Sequence, residues 1–462
     1  MSQSVDSTQD WNALVAHVTS AGGFVGPITL KDVPGAGRGL FLTEDVEAYQ
    51  TLVSIPKAAL MNWHTIRQYY PRLKLNTNGV APAKTNPKST TLNSTQALTM
   101  HLYLLRRGES SAEMDAYSSG LPRSFDEHPL TWVGTPRESL LEVLPPFSKT
   151  ALTDVENRCK VDWKAVRDIL EEQTVDPSSK HHSDCSTSKN AEAGYRIFVW
   201  AWLCVNTRCI HFSLSLSNIA RSLKDVDLTL CPIIDLANHA LSKLRSFSVR
   251  RDTSDSSLNL EAPMFPMRKG DEVFFHYSAH SNSTLFSEYG FVIPRNPRPS
   301  EDDEPQEGGE VNIDDVVAAL FEDENIRWKK EMLEETGYWG DWTLHSSPPP
   351  AHPSYRVVAA LRLLHASRKE ADQWEDMIFG GRDVVHETNE RLMRATVRSI
   401  CQQVADRASK KVVELSTGPW ESRDSAPDVL TCYALDCVRT LWEEEHDVSV
   451  GVIESIDRNE EF

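Results

Sequence analysis

The 462-residue chain is too long for a single core, so two or three domains are expected. Its 40% apolar content excludes a disordered chain, and a formal charge of -19 argues against a general nucleic-acid binder, which needs a basic face. No apolar run approaches the roughly 20 residues that span a bilayer, and the opening Met1 to Asp6 lacks a secretory pattern, so no membrane partner and a cytoplasmic or nuclear location are expected.

An acidic surface keeps a chain soluble and suits a basic partner through complementary fields. The eight cysteines are scattered without a Cys-x-x-Cys pair and read as free thiols of an intracellular protein. No metal site is expected. His181, His182 and Cys185 have suggestive spacing but lie in a polar, serine-rich break.

In chain order, Trp11 to Thr19 reads as a short amphipathic helix. Gly35-Ala36-Gly37-Arg38-Gly39-Leu40-Phe41 follows, and alternate glycines let another molecule approach the backbone. It is not a dinucleotide fingerprint, because no helix follows. Thr51 to Ile55 is strand-like, and Leu75 to Thr95 reads as a loop. Ala97 to Arg107, Thr150 to Gln173 and Ala193 to Phe212 carry helical periodicity. His101 on the first of these reads as a packed histidine. Arg208, near the end of the third, needs a carboxylate partner in so apolar a helix, from the fold or from a ligand.

The stretch from Cys231 to Pro297 gathers the residues of catalytic type. It opens with an apolar run ending Asp235-Leu236-Ala237-Asn238-His239 and closes with Ser281-Asn282 and Glu288-Tyr289-Gly290-Phe291. Phe247 to Val249 and Glu272 to Phe275 between them are strand-like, with a turn at Arg268 to Asp271, which suggests a small all-β unit around a site. Residues 300–311 form an acidic linker. Beyond it, Val316 to Thr336, Tyr355 to Phe379, Glu387 to Val413 and Val429 to His446 read as helices of an all-α domain over 312–462.

Three blocks together resemble the SET-domain protein lysine methyltransferases, in the branch typified by the Rubisco large-subunit methyltransferase: Gly37-Arg38-Gly39-Leu40-Phe41, Asp235 to His239, and Ser281-Asn282 with Glu288 to Phe291. The resemblance implies an α+β fold, a SET-domain β-fold with knot-like threading. It would be built from 1–61 and 230–299 around a helical insertion at 62–229, with 312–462 as a substrate-binding domain. It implies S-adenosyl-L-methionine as cofactor and a protein presenting a lysine as partner. Ala36, Gly37, Arg38, Thr207, Asp235, Asn238, His239 and Tyr289 are then the cofactor-binding candidates. Arg208, Asp235, Tyr277 and Tyr289 are the substrate-binding candidates, and Tyr289 is the catalytic one. The chain departs from its relatives in having Ser278 after Tyr277 and Ala240 after His239. Those departures keep a catalytically inactive SET-fold binding module in play, and some relatives modify histidine rather than lysine.

Overall fold

The computed structural model describes residues 4–33, 37–75, 91–110, 116–174, 188–211, 228–240, 243–252, 254, 256–294, 309–417 and 428–461. Ala36, the histidines and cysteine at 181, 182 and 185, and most of the 300–311 linker lie outside them. The chain divides into two compact units. The first comprises 1–125 and 155–277, and the second 126–154 and 278–462.

Short strands carry the first unit. Phe24–Val25, Thr51–Ile55, Leu258–Glu261 and Ser248–Arg251 form one four-stranded antiparallel sheet. Thr51 to Ile55 is apolar and β-branched, and Leu52, Val53 and Ile55 are fully buried, as expected of a central strand with both faces covered. Ile28–Val33 pairs with Gly37–Leu42, and Asn238–His239 pairs in parallel with Phe274–Phe275.

Helices frame these sheets. Ser94–Arg107 starts at a reciprocal cap: Gln96 N–H donates to Asn93 Oδ1 (2.8 Å) and Asn93 N–H to Gln96 Oε1 (3.0 Å). It ends at Gly108 in the left-handed region. The helix Ser188–Arg208 buries Phe198, Trp202 and Val205 at three- and four-residue steps. Asp162 accepts from Gln96 Nε2 and Trp202 Nε1, each at 2.8 Å, and so ties together the helices Ser94–Arg107, Pro146–Thr174 and Ser188–Arg208. His101 is a packed histidine whose Nδ1 lies 2.9 Å from the Tyr70 hydroxyl.

The second unit is mostly helical. Glu387–Thr417 and Val429–Asp457 are its longest helices, and Trp342 and Trp374 sit in its fully buried core. Two corrections apply to the sequence reading here. The region 312–462 is not purely helical, since Glu310–Asn312, Thr343–His345 and His352–Pro353 form a three-stranded antiparallel sheet. The periodic stretches from Val316 and Tyr355 each break in two. Asp323 Oδ1 accepts from the Asn325 N–H (2.9 Å) and opens a new turn before Arg327–Glu335. Ser367 and Glu370 cap each other between Tyr355–His365 and Ala371–Ile378. Polar caps start new helical turns where apolar spacing alone would continue one helix.

Candidate functional site

In the first unit the approach to Asp235 is a sharp turn. Ile233 has φ 70° and ψ -53°, and the Ile234 N–H bonds to the Pro232 carbonyl at 2.8 Å. This is a γ-turn of the rare, strained hand, held by a fully buried β-branched residue. The short helical turn Ile234–Leu236 follows and places Asp235, before the chain becomes extended again at Asn238–His239.

Asp235 is buried to 2% side-chain exposure, and its Oδ2 accepts from the Tyr117 hydroxyl at 2.8 Å. Arg208 Nη1 donates to the Asp235 backbone carbonyl at 2.6 Å and stands 4.0 Å from its carboxylate. The carboxylate partner that Arg208 required is therefore supplied by the fold. Burial raises the Asp235 pKa, opposed by Arg208, the Tyr117 hydroxyl and Arg38. The same burial holds the Tyr117 phenol well above its ordinary range. Arg38 Nη2 donates to the Gly120 carbonyl at 2.6 Å, and its pKa is lowered by burial and by the neighbouring Arg208. Tyr117 and Gly120 come from the same short helix, so that helix fastens both Arg38 and Asp235.

Asn238 and His239 lie one turn further on. Asn238 Nδ2 donates to Glu272 Oε1 at 2.7 Å. His239 Nδ1 accepts from the Tyr277 N–H at 3.2 Å, which leaves the ring proton on Nε2. The Tyr277 ring lies 5.1 Å from that imidazole, and its hydroxyl donates to the Ala237 carbonyl at 3.0 Å. Ala240 keeps its backbone engaged: its N–H bonds to the Phe275 carbonyl and its own carbonyl meets His276 Nδ1. The departure at Ala240 therefore leaves that segment fastened.

Arg38, Arg208, Asp235, Asn238, His239 and Tyr277 thus all belong to one unit. Gly37 sits at its exposed edge with φ 74°, a conformation that suits glycine. Thr207 fits less well, because its hydroxyl proton is donated to the Leu203 carbonyl at 2.8 Å and an acceptor oxygen does not hold a carboxylate. Among the described residues of this cluster, the buried Arg208 Nε, a donor, and Asp235 Oδ1, an acceptor, have no hydrogen-bond partner. A donor and an acceptor left over at one place fit a zwitterionic ligand end.

Tyr289 belongs to the second unit. It ends the wide helical turn Leu285–Tyr289, so the stretch from Cys231 to Pro297 is not the all-β unit that its strand-like pieces suggest. Gly290 follows with φ 83°, and a Cβ there would come within 2.9 Å of His128 Cα. Burial and the neighbouring Glu288 raise the Tyr289 phenol. His128 takes a hydrogen bond from the Leu130 N–H at Nδ1 and directs Nε2 at the Glu288 carbonyl (3.2 Å), while the Tyr433 hydroxyl donates to the Gly290 carbonyl (2.9 Å). Sequence reasoning missed Tyr117 and Glu272. Their only signal is the polar atom each presents to a buried partner, which depends on the fold.

The family model described as Rubisco LSMT substrate-binding matches residues 321–416. The structure aligns with a crystal structure of the SET domain of LSMT bound to lysine and AdoHcy at a TM-score of 0.59, covering 98% of this chain and 92% of that one at 17% identity. The chain has the SET fold, of the Rubisco LSMT type. A second SET-fold structure, Rubisco LSMT bound to AdoMet, gives a TM-score of 0.57 at 15% identity. In sequence, the chain is 25% identical over 370 residues to the ribosomal lysine N-methyltransferase set11 of Schizosaccharomyces pombe, covering 79% of this chain and 78% of that one. It is 23% identical to ribosomal lysine N-methyltransferase 2 of Saccharomyces cerevisiae, covering 72% and 77%.

Proposed function

We propose that the chain is an S-adenosylmethionine-dependent protein-lysine N-methyltransferase. The single observation that carries this is the arrangement of Ala237 to His239. A phenol bonds to the carbonyl just before Asn238, and the Asn238 and His239 side chains are each oriented by a second hydrogen bond. The unpaired Arg208 Nε and Asp235 Oδ1 nearby suit the charged amino-acid end of that cofactor. When bound, the cofactor supplies a methyl group on a positive sulfonium.

The residues then have mainly positioning work, since in-line displacement needs two reactants held close and water kept out. The Tyr277 hydroxyl proton is engaged by Ala237, so its oxygen can accept from a substrate amine and aim the nitrogen lone pair. The attacking amine must be neutral, and a desolvated channel lowers its pKa. No described side chain is needed as base; the proton released when the N–C bond forms can leave through water. In this reading Tyr277 takes the phenol role beside the reacting amine. Tyr289 keeps a role by resemblance alone.

The protein partner would be a basic segment presenting lysine, in keeping with the charge of -19. Similarity to ribosomal lysine methyltransferases makes ribosomal proteins the first targets to try. Location in the cytosol or nucleus goes with this reading and with the seven described cysteines, which form no disulfide with one another.

The test uses methyl-labelled S-adenosylmethionine with an extract from cells lacking the protein. The intact chain should label a protein band that yields methyl-lysine on hydrolysis. Tyr277→Phe should lower labelling at least about a hundredfold, the scale of one misoriented reacting group, while S-adenosylhomocysteine binding persists. Tyr289→Phe run alongside decides which phenol matters more. An intact chain that binds S-adenosylhomocysteine yet labels nothing would indicate a binding module instead, and methyl-histidine in the product would redirect the specificity.

A further inference from the structure

Glu272 received no role from the sequence, and its contacts give it one. We infer that Glu272 is a positioning residue that sets which way the Asn238 amide faces, an inference resting on the proposed methyl transfer. A side-chain amide offers a donor at one end and an acceptor at the other, and a flip exchanges them. An ionised carboxylate only accepts. With Glu272 Oε1 at 2.7 Å, the Asn238 NH2 is committed to Glu272 and the amide oxygen is turned away from it. That oxygen then meets a ligand as an acceptor, suited to a positively charged N–H donor.

Backbone bonds fix Glu272 for this task. The Leu42 N–H bonds to the Asp271 carbonyl at 2.9 Å and the Val273 N–H to the Leu40 carbonyl at 2.7 Å, on either side of Glu272. The pair also needs an empty place in the facing strand, at the buried Gly39. A Cβ there would stand 2.5 Å from Glu272 Oε1 and 2.9 Å from Asn238 Nδ2. The second glycine of the Gly37-Arg38-Gly39 block therefore makes room for a carboxylate–amide pair within the protein.

The experiment measures S-adenosylhomocysteine binding by calorimetry, so it needs no turnover, with thermal unfolding read alongside. Glu272→Gln should weaken binding about tenfold, the scale of one hydrogen bond to a charged group, because glutamine can donate as well as accept and no longer dictates the face. Asn238→Asp alone sets two carboxylates together and should also bind weakly. The double variant should recover most of the lost affinity: the glutamine NH2 donates to one aspartate oxygen, and the other oxygen faces the ligand. Gly39→Ala should weaken binding with both partners intact.

Unchanged affinity in Glu272→Gln overturns the inference. So does a double variant no better than the weaker single one, or affinity that falls only in step with the unfolding temperature. An intact chain that binds no S-adenosylhomocysteine overturns the proposed function and this inference together, and that result is separable from the others.

Discussion

In the second unit, helices of 31 and 29 residues belong to a structure whose core holds fully buried Trp342 and Trp374. In the first, Asn238 and His239 have a two-residue parallel pairing, and their side chains are held by hydrogen bonds to Glu272 and Tyr277. Apolar burial spreads its energy, because dispersion and area are summed over many contacts. A directed hydrogen bond does not, since a buried partner left over costs its full desolvation. The helical unit should therefore register damage as lost stability, and the site should register it as lost affinity before stability changes much.

The largest effect is expected at Trp374. It is fully buried and its Nε1 donates to the Ala359 carbonyl at 2.8 Å, so Trp374→Ala both opens a cavity and removes that hydrogen bond. Denaturant unfolding should show a loss of about 3–5 kcal/mol; a loss below about 1 kcal/mol would mean that this core is not what holds the unit. Next comes Tyr117→Phe, which removes one oxygen and strips Asp235 of its 2.8 Å donor. A stability cost of about 1–3 kcal/mol is expected, with a further rise in the Asp235 pKa. S-adenosylhomocysteine affinity should fall as well, and unchanged affinity would detach Asp235 from the site.

The smallest effect is a pH slope within the helical unit. Glu445 is buried and pushed up to about 7, with the Arg407 guanidinium opposing the shift. A folded-state pKa above the unfolded value means that the native state holds the extra proton. Stability is thus greater below about pH 4.5 and is lost as pH rises through about 7. Glu445→Gln should flatten this slope, by less than about 1 kcal/mol per pH unit. An unaltered profile from pH 4.5 to 7.5 would show that another group sets it.

What the sequence revealed divides along the same line. Long helices such as Ser94–Arg107 and Val429–Asp457 were legible because apolar spacing persists over several turns. The site motif was legible as a combination of residue types, and Arg208 was correctly read as wanting an acid. The two-residue strands Asn238–His239 and Phe274–Phe275 are too short to carry a period, so their pairing could not be read. The left-handed backbone at Ile233 has no residue signal, since a β-branched side chain argues against it. Glu272 looked like one more acid beside the turn at Arg268 to Asp271, and only the approach of Gly39 reveals its place.

The parallel pairing of Asn238–His239 with Phe274–Phe275 also bears on folding order. The ends it joins are some 35 residues apart, and the hairpin Ser248–Arg251 with Leu258–Glu261 lies between them. Closing that loop costs chain entropy that grows with its effective length, and four paired residues return little for it. A hairpin formed first shortens the effective loop. The site should thus mature late, as a non-local contact that waits on a local one, and a newly made chain would gain its helices before it can hold a ligand.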